Sequence, residues 1–149
     1  MSWAEIQVFF SPEQGEEILA ILKEAIQNAE ERIYILIYSF TLDELTKALI
    51  GKHKEGIDVK VIMDKGQAGS RWSVDEKLEE AGINVKRLAG SKGGYMHIKM
   101  MIVDDILMTG SYNWSKNATY KSDENFLVIT DEKEVLEAHL EKFERLWGE

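Results

Sequence analysis

Residues 96–103 read Met-His-Ile-Lys-Met-Met-Ile-Val, apolar and unbranched or β-branched in a way that suits an extended strand. Ile98, Met100 and Ile102 fall on one face of such a strand, and Met101 and Val103 on the other. A strand with two apolar faces needs a layer packed against each, so the chain is expected to fold as a sheet with helices on both sides. His97 and Lys99 interrupt the run. Two residues apart, they project from the same face, where one ligand can meet both. A lysine in apolar surroundings costs several kcal/mol unless it is paired, and a phosphate beside a histidine is a fitting partner. The alternative is a lysine whose stem packs while its head reaches water.

The rest of the sequence alternates strand and helix signals, which predicts an α/β fold with a mixed sheet. Strands are expected at 5–10, 32–38, 58–63, 84–88, 96–103, 106–109 and 124–129. Ser11-Pro12-Glu13-Gln14 reads as a cap and capping box for a helix to about Glu30, and Thr41-Leu42-Asp43-Glu44 as the start of a helix to Lys54 that Gly56 stops. Ser73-Val74-Asp75-Glu76 opens a short helix closed near Gly82, and 132–146 is an amphipathic final helix. No linker or low-complexity run divides the 149 residues, so one domain over 1–149 is expected.

After the His97/Lys99 pair come Asp104 and then Gly110-Ser111-Tyr112-Asn113. Six fixed positions of this kind match by chance at a given start with a probability on the order of 10⁻⁸. The pattern resembles the phospholipase D superfamily, whose signature is a His-x-Lys-x4-Asp motif with a trailing Gly-Ser-x-Asn. Val8-Phe-Phe-Ser-Pro12, Ile33 to Thr41, the strand ending at Asp64 and Glu124-Asn125 also look like family landmarks. In size, and in carrying one motif copy per chain, the sequence is most similar to small bacterial endonucleases and mitochondrial cardiolipin hydrolase-like members.

The resemblance implies a nucleophilic role for His97, since neutral imidazole attacks phosphorus well and phosphohistidine is labile. Lys99 and the Asn113 amide are expected to hold the nonbridging oxygens, with the Ser111 hydroxyl as a further donor. Glu124 resembles the family carboxylate that hydrogen-bonds the other nitrogen of the imidazole. Gly110 allows close backbone approach. Asp104, seven residues from His97, falls on the opposite face and is expected to be structural. No cofactor and no metal is implied, and with no Cys there is neither disulfide nor thiolate metal site.

A net charge of −9 sits awkwardly with a polyanionic substrate, but it is unevenly spread. Between Gly51 and Lys121 twelve Lys and Arg stand against nine Asp and Glu; the flanks hold six against eighteen. Lys65, Arg71, Lys92, Lys116 and Lys121, all read as loop residues, are expected to ring a substrate cleft. The segments 65–72 and 89–95 each mix glycine, a basic residue and an aromatic, which suits phosphate and base contacts, though plain surface connections have the same composition. Trp114 is read as core or groove wall, and Trp3 and Trp147 as packing or interface residues. The N-terminus lacks a basic flank and an apolar core, and no apolar run approaches eighteen residues, so a cytoplasmic protein without stable membrane association is expected.

One histidine cannot easily complete a phosphodiester hydrolysis. The leaving oxygen needs a proton, and water must later be activated. His53 and His139 read as surface residues, so the second imidazole is expected from a symmetry-related His97 in a homodimer. The expected activity is a metal-independent phosphodiesterase, first a nonspecific endonuclease on nucleic acid and second a phospholipid or cardiolipin hydrolase. A catalytically idle nucleic-acid-binding module is the third reading, disfavoured because binding alone needs no nucleophile.

Overall fold

The computed structural model describes residues 5–149, so Trp3 lies outside the described residues. Among them a seven-stranded sheet forms, built from β1 (Glu5–Ser11), β2 (Arg32–Ile37), β3 (Asp58–Asp64), β4 (Asn84–Leu88), β5 (Met100–Val103), β6 (Ile106–Gly110) and β7 (Glu124–Thr130). The order is β1-β7-β6-β5-β2-β3-β4, which makes β5 the middle strand. Strands β2, β3 and β4 are parallel, and every other neighbouring pair is antiparallel. The helices are α1 (Gly15–Gln27), α2 (Asp43–Lys54), α3 (Lys65–Ala68), α4 (Asp75–Glu80), α5 (Lys116–Tyr120) and α6 (Lys133–Trp147).

The two apolar faces of β5 enter two separate cores. Met101 and Val103 join Ile18, Leu22 and Ile26 of α1, Leu45 and Leu49 of α2 and Leu78 of α4. Met100 and Ile102 pack instead with Phe143 and Leu146 of α6. Helices therefore cover both faces of the sheet, as the sequence of the middle strand requires. Each fully buried side chain of this size contributes roughly 1.5–3 kcal/mol relative to exposure. Trp114 is buried in the larger core, edge-on to Phe40, and Trp147 stacks on Phe143.

Several element starts differ from the sequence expectation: Ser11 and Gln14 are engaged elsewhere, whereas Ser73 Oγ is buried without a hydrogen-bond partner among the described residues. Ser11 is buried at the end of β1 and donates its hydroxyl to the Ser122 carbonyl, while Gln14 bonds back to the Phe10 N–H, so α1 begins only at Gly15. Neither Thr41 nor Ser73 caps; α2 and α4 start after Leu42 and Val74 without a side-chain cap. Two short helices were read as loops. The Asp64 carboxylate accepts from the Gly66 and Gln67 N–H groups to start α3, and Ser115 Oγ accepts from Ala118 N–H to start α5, so Lys65 and Lys116 are helical, not loop, residues.

The signature segment is also shorter as a strand than expected. Met100 is the first residue with ladder partners on both sides, Leu36 in β2 and Thr109 in β6. His97, Ile98 and Lys99 run on past the end of the pairing. The nucleophile candidate therefore stands at the rim of the sheet rather than inside it.

Candidate active site

The rim carrying His97 gathers the ends of several strands. β2 and β3 finish there, β5 starts there, and β6 hands over at Gly110 to the segment that returns as β7 at Glu124. Tyr95, His97 and Lys99, alternating with the buried Met96 and half-buried Ile98, all lie against the Tyr38 ring. The imidazole is exposed, whereas Lys99 is only 8 % exposed. Lys99 Nζ lies 2.7 Å from His97 Nδ1 and 3.1 Å from Nε2, so the two side chains do meet on one face. Burial lowers the Lys99 pKa, and the negative charge of Glu124 pulls it partly back up. No carboxylate forms an ion pair with Lys99 among the described residues. A buried cation held beside an exposed imidazole and lacking a paired anion is a receptor for one.

Asn113 is oriented by the backbone. Its Oδ1 accepts from the Ser39 N–H at 3.1 Å, which leaves the Nδ2 donor uncommitted at the rim. Ser111 is different from what was expected. Its hydroxyl donates to Glu124 Oε1 at 2.8 Å and accepts from the Asn125 N–H at 3.0 Å, so its one proton is given to a carboxylate. Glu124 differs too: the hydrogen bond it makes is with Ser111, while both imidazole nitrogens face Lys99. Gly110 sits where β6 and the Asn125 backbone touch. A Cβ there would lie 2.3 Å from the Asn125 carbonyl oxygen, and φ is +155°, so only glycine fits.

Asp104 lies away from the chemistry, as its odd spacing from His97 implies. It takes a left-handed backbone (φ +52°) in the turn after β5, and its carboxylate accepts from the N–H groups of Glu30, Glu31 and Arg32 at 2.8–3.1 Å. Burial pushes its pKa up, but those three donors more than offset this, and the net direction is down.

Lys65, Arg71, Lys92, Lys116 and Lys121 are all exposed, on segments that leave the sheet at the His97 rim. They do not close into a uniformly basic cleft. The open cavity of about 440 Å³ beside Ser111 and Glu124 is lined also by Phe10, Ser11, Glu13, Asp123 and Asn125, an acidic wall. His53 sits in the last turn of α2 and His139 bonds the Val135 carbonyl within α6, so neither belongs to the rim. No group of three or more His, Cys, Asp or Glu positioned for a metal ion occurs among the described residues, and no helix among them is long and apolar enough to cross a membrane.

Two further rim residues, Asp64 and Tyr38, have no role assigned from sequence, and Tyr95 is the aromatic of the 89–95 segment. Asp64, buried, accepts from the Met96 N–H at 3.0 Å and so ties the end of β3 to the residue before His97. Tyr38 packs its ring 4.5 Å from the imidazole and 5.4 Å from Lys99 Nζ, and receives a hydrogen bond from Gln67. Tyr95 meets Tyr38 in a T-shaped contact at 5.9 Å. The turn chemistry of Asp64-Lys-Gly is the signal that could expose the first; Tyr38 looks like an ordinary strand-end residue until the fold brings it to His97.

A mixed sheet whose middle strand delivers a His-x-Lys pair to its rim defines a phospholipase D-like fold. A family model described as cardiolipin synthase, PLD-like domain, matches residues 22–147, and the chain belongs to the phospholipase D superfamily. The solved structure of Nuc from Salmonella typhimurium, a phospholipase D family member, superposes with a TM-score of 0.85 at 32% identity, covering 98% of this chain and 95% of that one. NucT from Helicobacter pylori gives 0.83 at 30% identity, with 96% and 97% covered. Human mitochondrial cardiolipin hydrolase is 35% identical over 134 residues, which are 89% of this chain and 52% of the relative. The chain thus spans about half the length of the curated relatives it matches.

Proposed function

We propose that this chain is a metal-independent phosphodiesterase that cleaves nucleic acid as a nonspecific endonuclease. The observation that carries the reading is the exposed His97 imidazole held 2.7 Å from a buried, anion-free Lys99. In the proposed reaction a ring nitrogen of His97 attacks phosphorus, an N–P bond forms, the P–O bond to the leaving group breaks, and the departing oxygen takes a proton. Lys99 and the free Asn113 Nδ2 neutralise charge on the nonbridging oxygens. Water then attacks the phosphohistidine, giving up a proton as the N–P bond breaks and a phosphomonoester leaves. The group that first gives and then takes that proton is the His97 of a second subunit in a twofold homodimer, because His53 and His139 lie elsewhere in the fold. Ser111 acts through Glu124, holding by a hydrogen bond the carboxylate whose charge partly offsets the burial of Lys99.

The exposed cations at the rim, Lys65, Arg71, Lys92, Lys116 and Lys121, favour an extended polyanion over a compact headgroup. A second reading, hydrolysis of cardiolipin or another phospholipid by the same chemistry, is favoured by the relatives named mitochondrial cardiolipin hydrolase. Incubation in EDTA with single-stranded DNA, duplex DNA, RNA and cardiolipin vesicles, with His97→Ala as control, separates the two. Cleavage of nucleic acid alone is the expected result. Cleavage of cardiolipin alone selects the second reading, and loss of all turnover on chelation with recovery on Mg²⁺ overturns the mechanism.

A further inference from the structure

Tyr95 is 71% exposed, yet its backbone is firmly held. Gly90 and Gly94 bond across the loop (N–H to O 2.7 Å), Ala89 and Tyr95 form a bridge, and a Cβ on Gly90 would lie 2.8 Å from the Tyr95 nitrogen. The ring therefore stands in water at a fixed place. Its T-shaped contact with Tyr38 is the one aromatic contact it makes among the described residues, and Tyr38 in turn packs against His97. Trp72, the other strongly exposed aromatic on this rim, already carries the Arg71 guanidinium 4.7 Å from its ring centre. Phe10 and Tyr120 are about half exposed, at 52% and 50%, and neither packs against Tyr38 or His97, so Tyr95 is the exposed ring linked through Tyr38 to the imidazole.

Tyr38 bridges the two rings, 5.9 Å from Tyr95 and 4.5 Å from His97 between centroids, so a planar group stacked on Tyr95 lies one short step from a phosphorus at His97. A nucleotide has that form, a flat base joined through a sugar to a phosphodiester. In a duplex both faces of each base are already stacked on neighbours; an unpaired base has a face to offer. Resting on the nuclease reading above, we propose that Tyr95, braced by Tyr38, stacks the base next to the scissile phosphate and so directs the enzyme to single-stranded nucleic acid. The glycerol headgroup of cardiolipin offers neither a planar face nor a cation to this ring.

The test is a cycle between residue and base. Cleavage kinetics are measured in EDTA on a labelled single-stranded oligonucleotide, its duplex, and a single strand carrying one abasic site at the mapped cleavage position, for wild type, Tyr95→Ala, Tyr95→Phe and Tyr95→Trp. Wild type is expected to prefer the single strand over the duplex. Tyr95→Ala is expected to raise KM on the intact single strand by roughly five- to a hundredfold with a much smaller change in kcat, while Phe and Trp retain the wild-type KM. On the abasic strand the alanine effect is expected to collapse toward one. An equal alanine effect on intact and abasic strands, an unchanged KM, or a wild-type preference for duplex overturns the stacking role while leaving the nuclease reading in place. Failure of wild type to cut any nucleic acid overturns that reading, and the stacking role with it.

Discussion

Lys99 Nζ and His97 Nδ1 stand 2.7 Å apart, the first buried and the second in water. At that distance the ammonium can donate to a ring-nitrogen lone pair, and a phosphate arriving at the pair would draw the lysine toward itself. The burial that readies Lys99 for an anion is a standing cost to the empty protein.

That cost makes a sign prediction. Burial lowers the folded-state pKa of Lys99 below its ordinary value, so the unfolded chain holds this proton more tightly. Stability contributed through this group is therefore least at low and neutral pH, and rises as pH climbs through the lowered folded value toward the ordinary lysine value. Lys99→Met is expected to cut kcat/KM by about 10³-fold while leaving Tm at neutral pH equal or higher. Thermal melts of both proteins check this; a clear loss of stability in the variant contradicts it.

Asp104 behaves oppositely. Its folded pKa is depressed, so its contribution is present above the ordinary aspartate value of about 3.9 and is lost as pH falls through the folded value. Asp104→Asn keeps a residue that tolerates positive φ but weakens the charge-assisted bonds to Glu30, Glu31 and Arg32, at a cost of about 1–3 kcal/mol at pH 7. Asp104→Ala adds about 1 kcal/mol of backbone strain at φ +52°. Denaturant titrations at pH 7 and pH 3 are expected to show the wild-type advantage over Asn shrinking in acid.

Asp64→Ala removes the acceptor for the Met96 N–H and leaves that buried donor without a partner. The expected cost is about 2 kcal/mol, together with a fall in kcat larger than any change in KM, since the substitution loosens the segment carrying His97 without removing a group that binds substrate. Chemical denaturation combined with steady-state kinetics measures both.

Gly110→Ala is expected to destabilise by about 3 kcal/mol or more, because the new carbon would meet the Asn125 carbonyl at 2.3 Å. Activity is expected to fall further than stability alone explains, as the Ser111–Glu124 bond hangs on the same junction. The melting temperature and residual activity of the purified variant decide this.

Mixed dimers test the shared site. A dimer of one wild-type and one His97→Asn subunit is expected to lose most of its single-turnover activity, since the proposed reaction uses two imidazoles in different roles. Full retention in the mixed species overturns the arrangement.

Much of this was legible from residues 96–103, where the apolar alternation announced helices on both sides of the sheet and the odd spacing placed Asp104 away from the chemistry. What escaped was decided by contacts distant in sequence. Ser11, Thr41 and Ser73 carry the residue type of a helix cap, but Ser11 is spent on the Ser122 carbonyl, 111 positions away. Ser111 looked like a free donor because Glu124, which takes its proton, comes to it only when β7 pairs with β6. Tyr38 and Tyr95 come from different strand ends and meet only across the rim.

The three backbone donors around Asp104 also bear on how such a chain tolerates insertions and deletions. Four-residue β5 is too short to hold its own alignment, and a slip by one residue would turn Lys99 into the core of α6. The carboxylate fastens the far end of the strand to residues 30–32 and acts as an end stop. Changes of length in the 89–95 loop are then absorbed upstream of His97, so that loop is free to diverge while the imidazole keeps its address.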